Sequence, residues 1–376
     1  EVDRVIEELP FESVKTPLAK GVDGKLIVGI EDGVIDEYGR INLNGETTIK
    51  IKSKREQFIN FMVNRESIIT THSLFLSLKL DDYSFFNDYI LILDEVVSPI
   101  NVYNIGKDDV KILNEQGLIS VDDNTKEVEF IKENYIDNGF KEVKKICSSG
   151  VIFLIDKCHF VWVFPVEIFK NLSEIQILTY IFEGSMLCAY IKLYNFEYTI
   201  HKPCNKVALK RIKSKLNIYQ GSANECKYSK RSFSYSNCKS LTRLQTNEVR
   251  NNMGKIFRRE FDTRSNENAF TTFKCVKEQF SGGGYTKGFI PVNSRATNDF
   301  NHKKSMGYLA NRFFNPQVKN FFNVKNIDLD EELWALSELV QWIWRGCIRN
   351  EEAMNVYLPS YRMRNILIKW LDGEYE

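Results

Sequence analysis

The sequence has no cysteine pair spaced as zinc ligands and no apolar run long enough to cross a membrane. Its eight cysteines include no CxxC pair, and the neighbours Cys158 and His159 lack a second pair of ligands. These absences exclude a zinc-ribbon protein and a helical membrane protein, and they predict free thiols in a reducing compartment. No signal peptide opens the chain. We therefore expect a soluble cytoplasmic protein without a membrane partner.

The sequence also has no Gly-Lys-Ser/Thr, the tripeptide that ends a P-loop. The nearest candidate is SGGGYTKG at 281–288, but its Lys287 is followed by glycine. A P-loop follows a strand and opens a helix, whereas here a strand is predicted after the glycines. We interpret this segment as a flexible turn that could touch backbone phosphates.

The net charge of +1 conceals an uneven distribution along the 376 residues. Residues 1–100 carry 11 Lys+Arg against 18 Asp+Glu, whereas residues 201–260 carry 15 against 3. In the basic stretch, cations such as Lys210, Arg211 and Lys213 are interleaved with aromatic residues. This pattern suits a nucleic acid, because cations neutralise phosphates and rings stack on bases. A solvated loop region with a lysine bias is the alternative.

Short apolar strands alternate with helical stretches, which predicts an α/β fold with parallel sheets. The length predicts two domains, at 1–200 and 201–376. Strands are predicted at 67–70, in YILILDEVV (89–97, buried), in EIQILTYIFEGS (174–185), in KGFIPVN (287–293) and in MNVYLP (354–359), with a hairpin turning at Asp156–Lys157. Helices are predicted in SMGYLANRFFNPQVKNFF (305–322, with Pro316 as a kink or break), in DEELWALSELVQWIWRGCIR (330–349) and in SYRMRNILIKWL (360–371). The polar region 202–260 is predicted to be a linker with irregular strands.

In YILILDEVV an apolar strand ends in two carboxylates, Asp94 and Glu95. This fits a Walker B pair, in which the aspartate holds Mg²⁺ and the glutamate polarises the attacking water. Ligands of open α/β sheets collect at the carboxyl ends of the strands, so the position is appropriate. A solvated strand end is the alternative. Thr71, His72 and Thr179 also follow strands and could contact a nucleic-acid backbone, although each alone is more typical of a turn or cap.

Gln341, Arg345 and Arg349 recur at spacings of four in QWIWRGCIR. On a continuous helix they would share one face, and two arginines on a mostly apolar helix call for an anionic partner. A triphosphate is a suitable partner, because a guanidinium stabilises charge that develops on the γ-phosphoryl oxygens. Ordinary ion pairs with acids such as Glu338 are the alternative.

With these residues in place, the chain resembles superfamily 2 helicases, specifically the DEAD/DEAH-type helicase-like proteins of phages and prophages of Gram-positive bacteria. The resemblance spans about residues 60–371. The segments that carry it are TTHSLF, LILDEV, FPVEIFK…ILTYIFEGS, GYTKGFIPVNSRATND, ALSELVQWIWRGCIR and VYLPSYRMRNILIKWL.

The resemblance implies two RecA-like domains with parallel sheets, the first of them truncated at its amino terminus. It implies ATP and Mg²⁺ as cofactors, bound between the domains, and nucleic acid as a partner, with DNA favoured over RNA. Its site residues would be Asp94 and Glu95 (motif II), Thr179–Tyr180 (motif III), Arg295, Thr297 and Asp299 in segment 293–299 (motif V), and Gln341, Arg345 and Arg349 (motif VI). Asp94 would hold the metal and Glu95 would act as base, while Arg295 and Thr297 would meet the backbone or γ-phosphate and Asp299 the ribose. The second arginine follows the glutamine by eight residues rather than seven, so the identity of the arginine finger stays open.

Family members of this kind carry a glycine-lysine loop upstream of the segment equivalent to EVDRVIEELP. We therefore expect either a longer native protein or a shortened relative that binds nucleotide poorly. The first function hypothesis is an ATP-dependent translocase or helicase of phage replication or recombination, with a possible replication or phage protein partner. The second is a nucleic-acid- or partner-binding protein that does not hydrolyse ATP. A nuclease is a weaker third, because no carboxylate cluster beyond Asp94–Glu95 is evident.

Overall fold

The chain forms two compact units that divide between Thr179 and Tyr180, and we call them unit 1 and unit 2. The computed structural model describes residues 14–15, 28–30, 49–51, 53–132, 134–136, 139–201, 206–224, 232–293 and 299–375. Both units mix helices with strands, and both contain parallel pairs. The α/β class is therefore confirmed. The predicted domain boundary after residue 200 falls inside unit 2 and stays a prediction.

Unit 1 contains short strands and short helices. Its described strands are β1 (Val14–Lys15), β2 (Val28–Ile30), β3 (Ile49–Ile51), β4 (Ser67–Ile68), β5 (Ile90–Asp94), β6 (Ile100–Asn104), β7 (Ile119–Val121), β8 (Val128–Phe130), β9 (Val151–Ile155), β10 (His159–Val163) and β11 (Glu174–Leu178). Its described helices are α1 (Lys54–Val63), α2 (His72–Phe75), α3 (Lys107–Glu115), α4 (Lys141–Cys147) and α5 (Val166–Lys170), with a 3₁₀ helix at Leu80–Phe86.

Parallel and antiparallel pairings are both present in unit 1. The strands β5 and β11 pair in parallel, as do β1 and β4. The strands β6, β10 and β9 form an antiparallel sheet in that order, and β2–β3 and β7–β8 are antiparallel pairs. The predicted hairpin is confirmed, because Asp156 and Lys157 both have φ above +50°, as the tight turn between twisted strands requires. The described part of unit 1 is thus not a purely parallel domain.

The strand β5 was predicted to be buried, and this is wrong for one of its faces. Leu93 is buried, but Ile90 is 56% exposed and Ile92 is 60% exposed. These two side chains point to the same face, since alternate residues of a strand share a face. The apolar run predicted the strand correctly and its burial only in part.

Unit 2 is built on one parallel sheet. Its strands are β12 (Leu216–Ile218), β13 (Asn268–Thr271), β14 (Ser305–Tyr308) and β15 (Met354–Tyr357), in the spatial order β12-β15-β14-β13. Its helices are α6 (Met186–Leu193), α7 (Lys206–Lys215), α8 (Tyr235–Ser240), α9 (Arg243–Lys255), α10 (Lys277–Phe280), α11 (Pro316–Val324), α12 (Glu331–Ile343) and α13 (Tyr361–Leu371). Shorter turns lie at Phe182–Gly184, Ser222–Asn224, Lys274–Val276, Thr286–Gly288 and Cys347–Asn350 (3₁₀), and at Ile256–Glu260 (π).

Two apolar clusters hold the sheet of unit 2. One joins the strands to α12 and α13 through side chains such as Met306, Trp342 and Leu367, and the other joins them to α9 through Met253 and Phe257. The parallel sheet is thereby buried on both faces, as such sheets require.

The predicted helix over 305–322 is wrong in its first part, because Ser305–Tyr308 is the buried strand β14. A helix would place Gly307 at a helix interior, whereas in the strand it allows close packing. A Cβ on Gly307 would lie 2.5 Å from Met253 Sδ. Pro316 opens α11 at its first turn, where a missing N–H costs nothing.

The predicted linker at 202–260 is also wrong for the described residues, because α7, α8 and α9 occupy much of it. The predicted strand at 287–293 is replaced by the turn Thr286–Gly288 and a single parallel bridge between Phe270 and Phe289. The last strand and the last helix are confirmed as β15 and α13.

Candidate functional site

The carboxylate pair Asp94–Glu95 lies at the carboxyl end of β5, directly beside the end of β11. Residues of the two strands pair in register from Glu174 opposite Ile90 to Leu178 opposite Asp94. Two parallel strands in register end at the same edge of a sheet, so Thr179 and Glu95 leave their strands side by side. The sequence predicted both strand ends, and the pairing brings them together.

A hydrogen bond joins these two strand ends. The Thr179 hydroxyl donates to Glu95 Oε2 over 3.2 Å, and the Glu95 N–H donates to the Leu178 carbonyl oxygen over 2.9 Å. Glu95 has φ of +75°, a left-handed conformation that costs a non-glycine residue about 1–2 kcal/mol. Backbone strain of this kind concentrates at functional sites, where the surrounding structure holds it. Glu95 is therefore held at its backbone by Leu178 and at its carboxylate by Thr179.

The donor set at this edge suits Mg²⁺ only in part. Asp94 is exposed and Glu95 is half-buried, and Mg²⁺ is commonly held by one or two carboxylates, with water and substrate phosphates completing its shell. Among the described residues no group of three or more His, Cys, Asp or Glu side chains could hold a metal ion. The phosphate cradle of a P-loop has no counterpart in the sequence, which lacks Gly-Lys-Ser/Thr.

Thr71 and His72 lie at the start of α2. The Thr71 hydroxyl accepts the Leu74 N–H over 3.3 Å, so it caps the helix. His72 is the first helical residue and is half-buried. The described strand before them, β4, pairs with β1. The cap explains Thr71 locally, and a nucleic-acid role for either residue stays a prediction.

The shared helix face predicted for Gln341, Arg345 and Arg349 is wrong. The helix α12 ends at Ile343, so only Gln341 is helical, Arg345 lies in the following turn, and Arg349 lies in the 3₁₀ helix Cys347–Asn350. Gly346 explains the ending. A Cβ there would lie 2.5 Å from the sulfurs of Met306 and Met354 and 3.0 Å from the Lys303 carbonyl oxygen. The chain therefore packs closely against β14 and β15 at Gly346, and α12 does not continue to this residue.

The same turn is joined to the segment after the predicted motif V. The Cys347 N–H donates to the Lys303 carbonyl oxygen over 2.9 Å, and Asn350 Nδ2 donates to the Asn301 carbonyl oxygen over 3.3 Å. Asp299 is exposed at the start of this segment. Arg295 and Thr297 lie outside the described residues. The turn after α12 thus lies beside residues 301–303, at the amino ends of β14 and β15.

A polar cavity of about 300 Å³ opens at this edge, and sequence reasoning did not predict it. Its lining residues are Asn266, Glu267, Asn301, His302, Lys304, Asn350 and Glu352. The Lys304 ammonium donates to Glu267 over 2.8 Å and holds the pKa of that carboxyl below its usual range. Ligands of open α/β sheets usually bind at the opposite, carboxyl edge, so the position is atypical for a nucleotide.

The basic residues singled out from the sequence lie on α7. Lys210 is exposed, Arg211 pairs with Glu351, and Lys213 pairs with Asp372. These partners are distant in sequence, so no local pattern predicts them. Two of these three basic residues are therefore already engaged with acids of the same unit.

The arginines near the carboxy terminus are engaged in the same way. Arg362 donates to Asn311 Oδ1 over 3.0 Å and to the carbonyl oxygens of Arg312 and Glu331. Arg312 pairs with Glu338 over 3.1 Å. These contacts fix α12, α13 and the loop after β14 to one another, which is a structural role.

The described helices include none that is both long and apolar enough to cross a membrane.

Comparison with known proteins finds two matching domain families. Residues 210–371 match the YonV C-terminal Rossmann-like domain, and residues 100–162 match the YonV middle domain. The first match contains all four strands of the parallel sheet of unit 2, and the second contains the antiparallel sheet of β6, β10 and β9 except its last residue, Val163. The SPbeta prophage-derived uncharacterized protein YonV of Bacillus subtilis (strain 168) is 31% identical over 356 residues, which is 88% of this chain and 84% of that protein.

The chain therefore belongs to the YonV family, and residues 210–371 form a Rossmann-like domain. The prophage origin of the relative agrees with the phage context that the sequence resemblance implied. These similarities do not include a helicase, so the assignment to the superfamily 2 helicases stays a prediction.

Proposed function

We propose that this member of the YonV family is a helicase-like protein that binds nucleic acid and couples this binding to a magnesium nucleotide at Asp94–Glu95. Its two units would be RecA-like domains, with ATP and Mg²⁺ as cofactors and DNA favoured over RNA. The observation that carries the proposal is the hydrogen bond from Thr179 to Glu95 across the ends of neighbouring parallel strands. A carboxylate held from the next strand is suited to orient a water molecule.

The roles follow from position. Asp94 is exposed at the strand end and is suited to bind Mg²⁺, which when bound would neutralise phosphate charge. Glu95 is half-buried and oriented by Thr179, so it is suited to accept a proton from water. In unit 2, Gln341, Arg345 and Arg349 stay candidates for contacts with the γ-phosphate, although they lie on three different local structures.

The test is ATP hydrolysis with and without a single-stranded oligonucleotide. We expect Glu95→Gln to lower the stimulated rate by about 100-fold or more, which is the lower bound for general-base catalysis. Thr179→Val should lower it by about 10-fold or more, because a hydrogen bond to a charged carboxylate contributes about 1.5–3 kcal/mol. The control is Glu174→Gln, which removes a carboxylate at the other end of the same strand pair and should leave the rate unchanged. An equal rate in Glu95→Gln and wild type would refute the assignment.

A second candidate function is nucleic-acid binding without hydrolysis. It is favoured by the absence of Gly-Lys-Ser/Thr from the sequence, because P-loop amides and lysine form the main cradle for β- and γ-phosphates. Oligonucleotide binding that weakens with salt, together with no hydrolysis under any condition, would select this candidate. Binding of a fluorescent ATP analogue to wild type but not to Asp94→Asn would instead support a nucleotide site at Asp94.

A further inference from the structure

The helix α9 and the π-helical turn Ile256–Glu260 that continues it carry four of the exposed cations of unit 2. One face of this element is buried in the core through side chains at helical spacing, which are Thr246, Val249, Met253, Ile256 and Phe257. The exposed side carries four cations, which are Arg243, Lys255, Arg258 and Arg259, together with two acids, Glu248 and Glu260. We call these four residues the basic stripe.

The basic stripe differs from the cations of α7 in its partners. Within the described part of the chain, no ion pair includes a member of the stripe, whereas Arg211 and Lys213 each pair with an acid. Lys215 on the same helix lies 3.7 Å from Glu351. An intramolecular pair offsets a cation's charge at its own position, so the stripe retains charge that the α7 cations share with their partners.

The π-helical turn sets the geometry of the stripe at its carboxyl end. The Phe261 N–H bonds to the Ile256 carbonyl oxygen over 2.9 Å, which is an i+5 bond and widens the turn. Two consecutive arginines, Arg258 and Arg259, are exposed within this turn, while Ile256 and Phe257 stay buried.

The glycine-rich loop at 281–284 lies beside this helix. A Cβ on Gly254 would lie 3.7 Å from the Gly283 carbonyl oxygen, and the Tyr285 hydroxyl donates to the Arg250 carbonyl oxygen over 3.3 Å. Gly283 itself is exposed, and a Cβ there would meet nothing within 4 Å. The loop therefore adds accessible backbone without bulky side chains next to the stripe.

We propose that the basic stripe binds the sugar–phosphate backbone of single-stranded nucleic acid, which specifies the binding surface of the proposed function and rests on it. Lys255, Arg258 and Arg259 lie within five residues at the carboxyl end of the element, where they can neutralise neighbouring phosphates, and such contacts do not depend on base sequence. A membrane surface fits less well, because an interfacial helix inserts an apolar face and the apolar face of α9 is buried in the core. The only large apolar side chain exposed on α9, within the described residues, is Leu244.

The test uses the full chain and a fluorescein-labelled 20-mer of deoxythymidine, with the matching uridine 20-mer as the RNA arm. The variant replaces three stripe residues, as Lys255→Gln, Arg258→Gln and Arg259→Gln. The matched control removes the same charge from α7, as Arg211→Gln, Lys213→Gln and Lys215→Gln. Affinity is measured by fluorescence anisotropy from about 50 to 300 mM salt, a range in which counterion release dominates.

We expect the stripe variant to lose about 100-fold in affinity at 0.1 M salt and to lower the slope of log K against log salt by about 2, since each single-strand phosphate contact contributes about 0.7 to that slope. The α7 control should lose several-fold at most and keep the wild-type slope. Circular dichroism verifies that both variants fold. If the triple stripe variant does not fold, Arg258→Gln with Arg259→Gln is expected to lose about 25-fold by the same relation.

The outcomes separate this inference from the function on which it rests. If wild type binds neither oligonucleotide, the proposed function fails and the stripe has no nucleic-acid partner. Wild type could bind with salt dependence while the stripe variants bind with the same affinity, or while the α7 control loses more affinity than they do. Either result would refute the basic stripe as the binding surface and would leave the proposed function unaffected. Binding to vesicles of anionic phospholipid in preference to both oligonucleotides would assign the stripe to a membrane surface and would also overturn it.

Discussion

The parallel strands of the two units differ in how their faces are covered. In unit 2 every residue of β13 and β14 is buried, and helices pack on both sides of the sheet. In unit 1 the parallel pair β5–β11 leaves Ile90, Ile92 and Leu178 more than half exposed. Parallel sheets are normally covered on both faces. The described structure therefore places its tightly packed sheet in unit 2 and its candidate catalytic carboxylates on the less covered pair.

Charge separates the two units as well. Residues 1–179 carry 20 Lys+Arg and 31 Asp+Glu, a balance of −11, whereas residues 180–376 carry 31 and 19, a balance of +12. The overall charge of +1 therefore hides two oppositely charged halves. Of the two units, unit 2 is therefore the one whose net charge favours a polyanion.

The largest expected effect comes from truncating a core side chain of unit 2. Trp342 is 1% exposed, its ring packs against Tyr308, and its Nε1–H donates to the Ile290 carbonyl oxygen. We expect Trp342→Ala to lower the free energy of unfolding by about 3–5 kcal/mol. Ile92→Ala in β5 should change it by less than about 0.5 kcal/mol, because this side chain is already exposed. Urea unfolding followed by circular dichroism measures both free energies. Similar decreases in the two variants would contradict the proposed difference in packing between the two sheets.

A medium effect is expected inside the glycine-rich segment of unit 2. A Cβ on Gly288 would lie 2.1 Å from the Asn268 carbonyl oxygen and 3.0 Å from Ala269 Cα, both on β13. Because these are backbone atoms, Gly288→Ala should destabilise the unit by about 1–3 kcal/mol or more. Gly283→Ala, in the same segment, meets nothing within 4 Å and should stay within about 1 kcal/mol of wild type.

This pair of variants also examines the interpretation of SGGGYTKG as a turn. If Gly283→Ala were as damaging as Gly288→Ala, the open loop would be constrained in a way that its geometry does not explain. Thermal unfolding of the two single variants decides between these outcomes.

Local patterns predicted much of the fold correctly. The hairpin at Asp156–Lys157 follows from two strand-like runs separated by turn residues, and its positive φ values were found. Long-range packing determined the failures. The run SMGY reads equally well as helix or strand, and only its place between β13 and β15 makes it β14.

The sequence predicted those residues of the candidate site that lie at the ends of strands. Asp94, Glu95 and Thr179 could be found because each directly follows an apolar run, and their adjacency follows from parallel pairing. The pairing of Arg211 with Glu351 could not be found, because the two residues are 140 positions apart. The basic stretch 201–260 includes the cations of both α7 and α9, and the sequence does not distinguish those that pair with distant acids from those that do not.

The smallest expected effect is a pH dependence at the polar cavity of unit 2. The hydrogen bond from Lys304 and the N–H of Arg264 lower the pKa of Glu267. A carboxyl with a lowered folded-state pKa binds its proton more readily in the unfolded chain, so it contributes stability above the unfolded pKa of about 4.3. That contribution is lost as pH falls through the folded pKa.

Glu267→Gln should therefore make the unfolding midpoint less dependent on pH between about pH 5 and pH 3 than it is in wild type. Lys304→Gln removes the main cause of the lowered pKa and should flatten the same acid branch, which makes it the matched variant. Urea midpoints measured at intervals across this range test both. The Lys304 side of this contact is exposed to solvent. If the urea midpoints of both variants depend on pH as those of wild type do, solvent screens the Lys304–Glu267 contact and it makes no measurable contribution to the stability of unit 2.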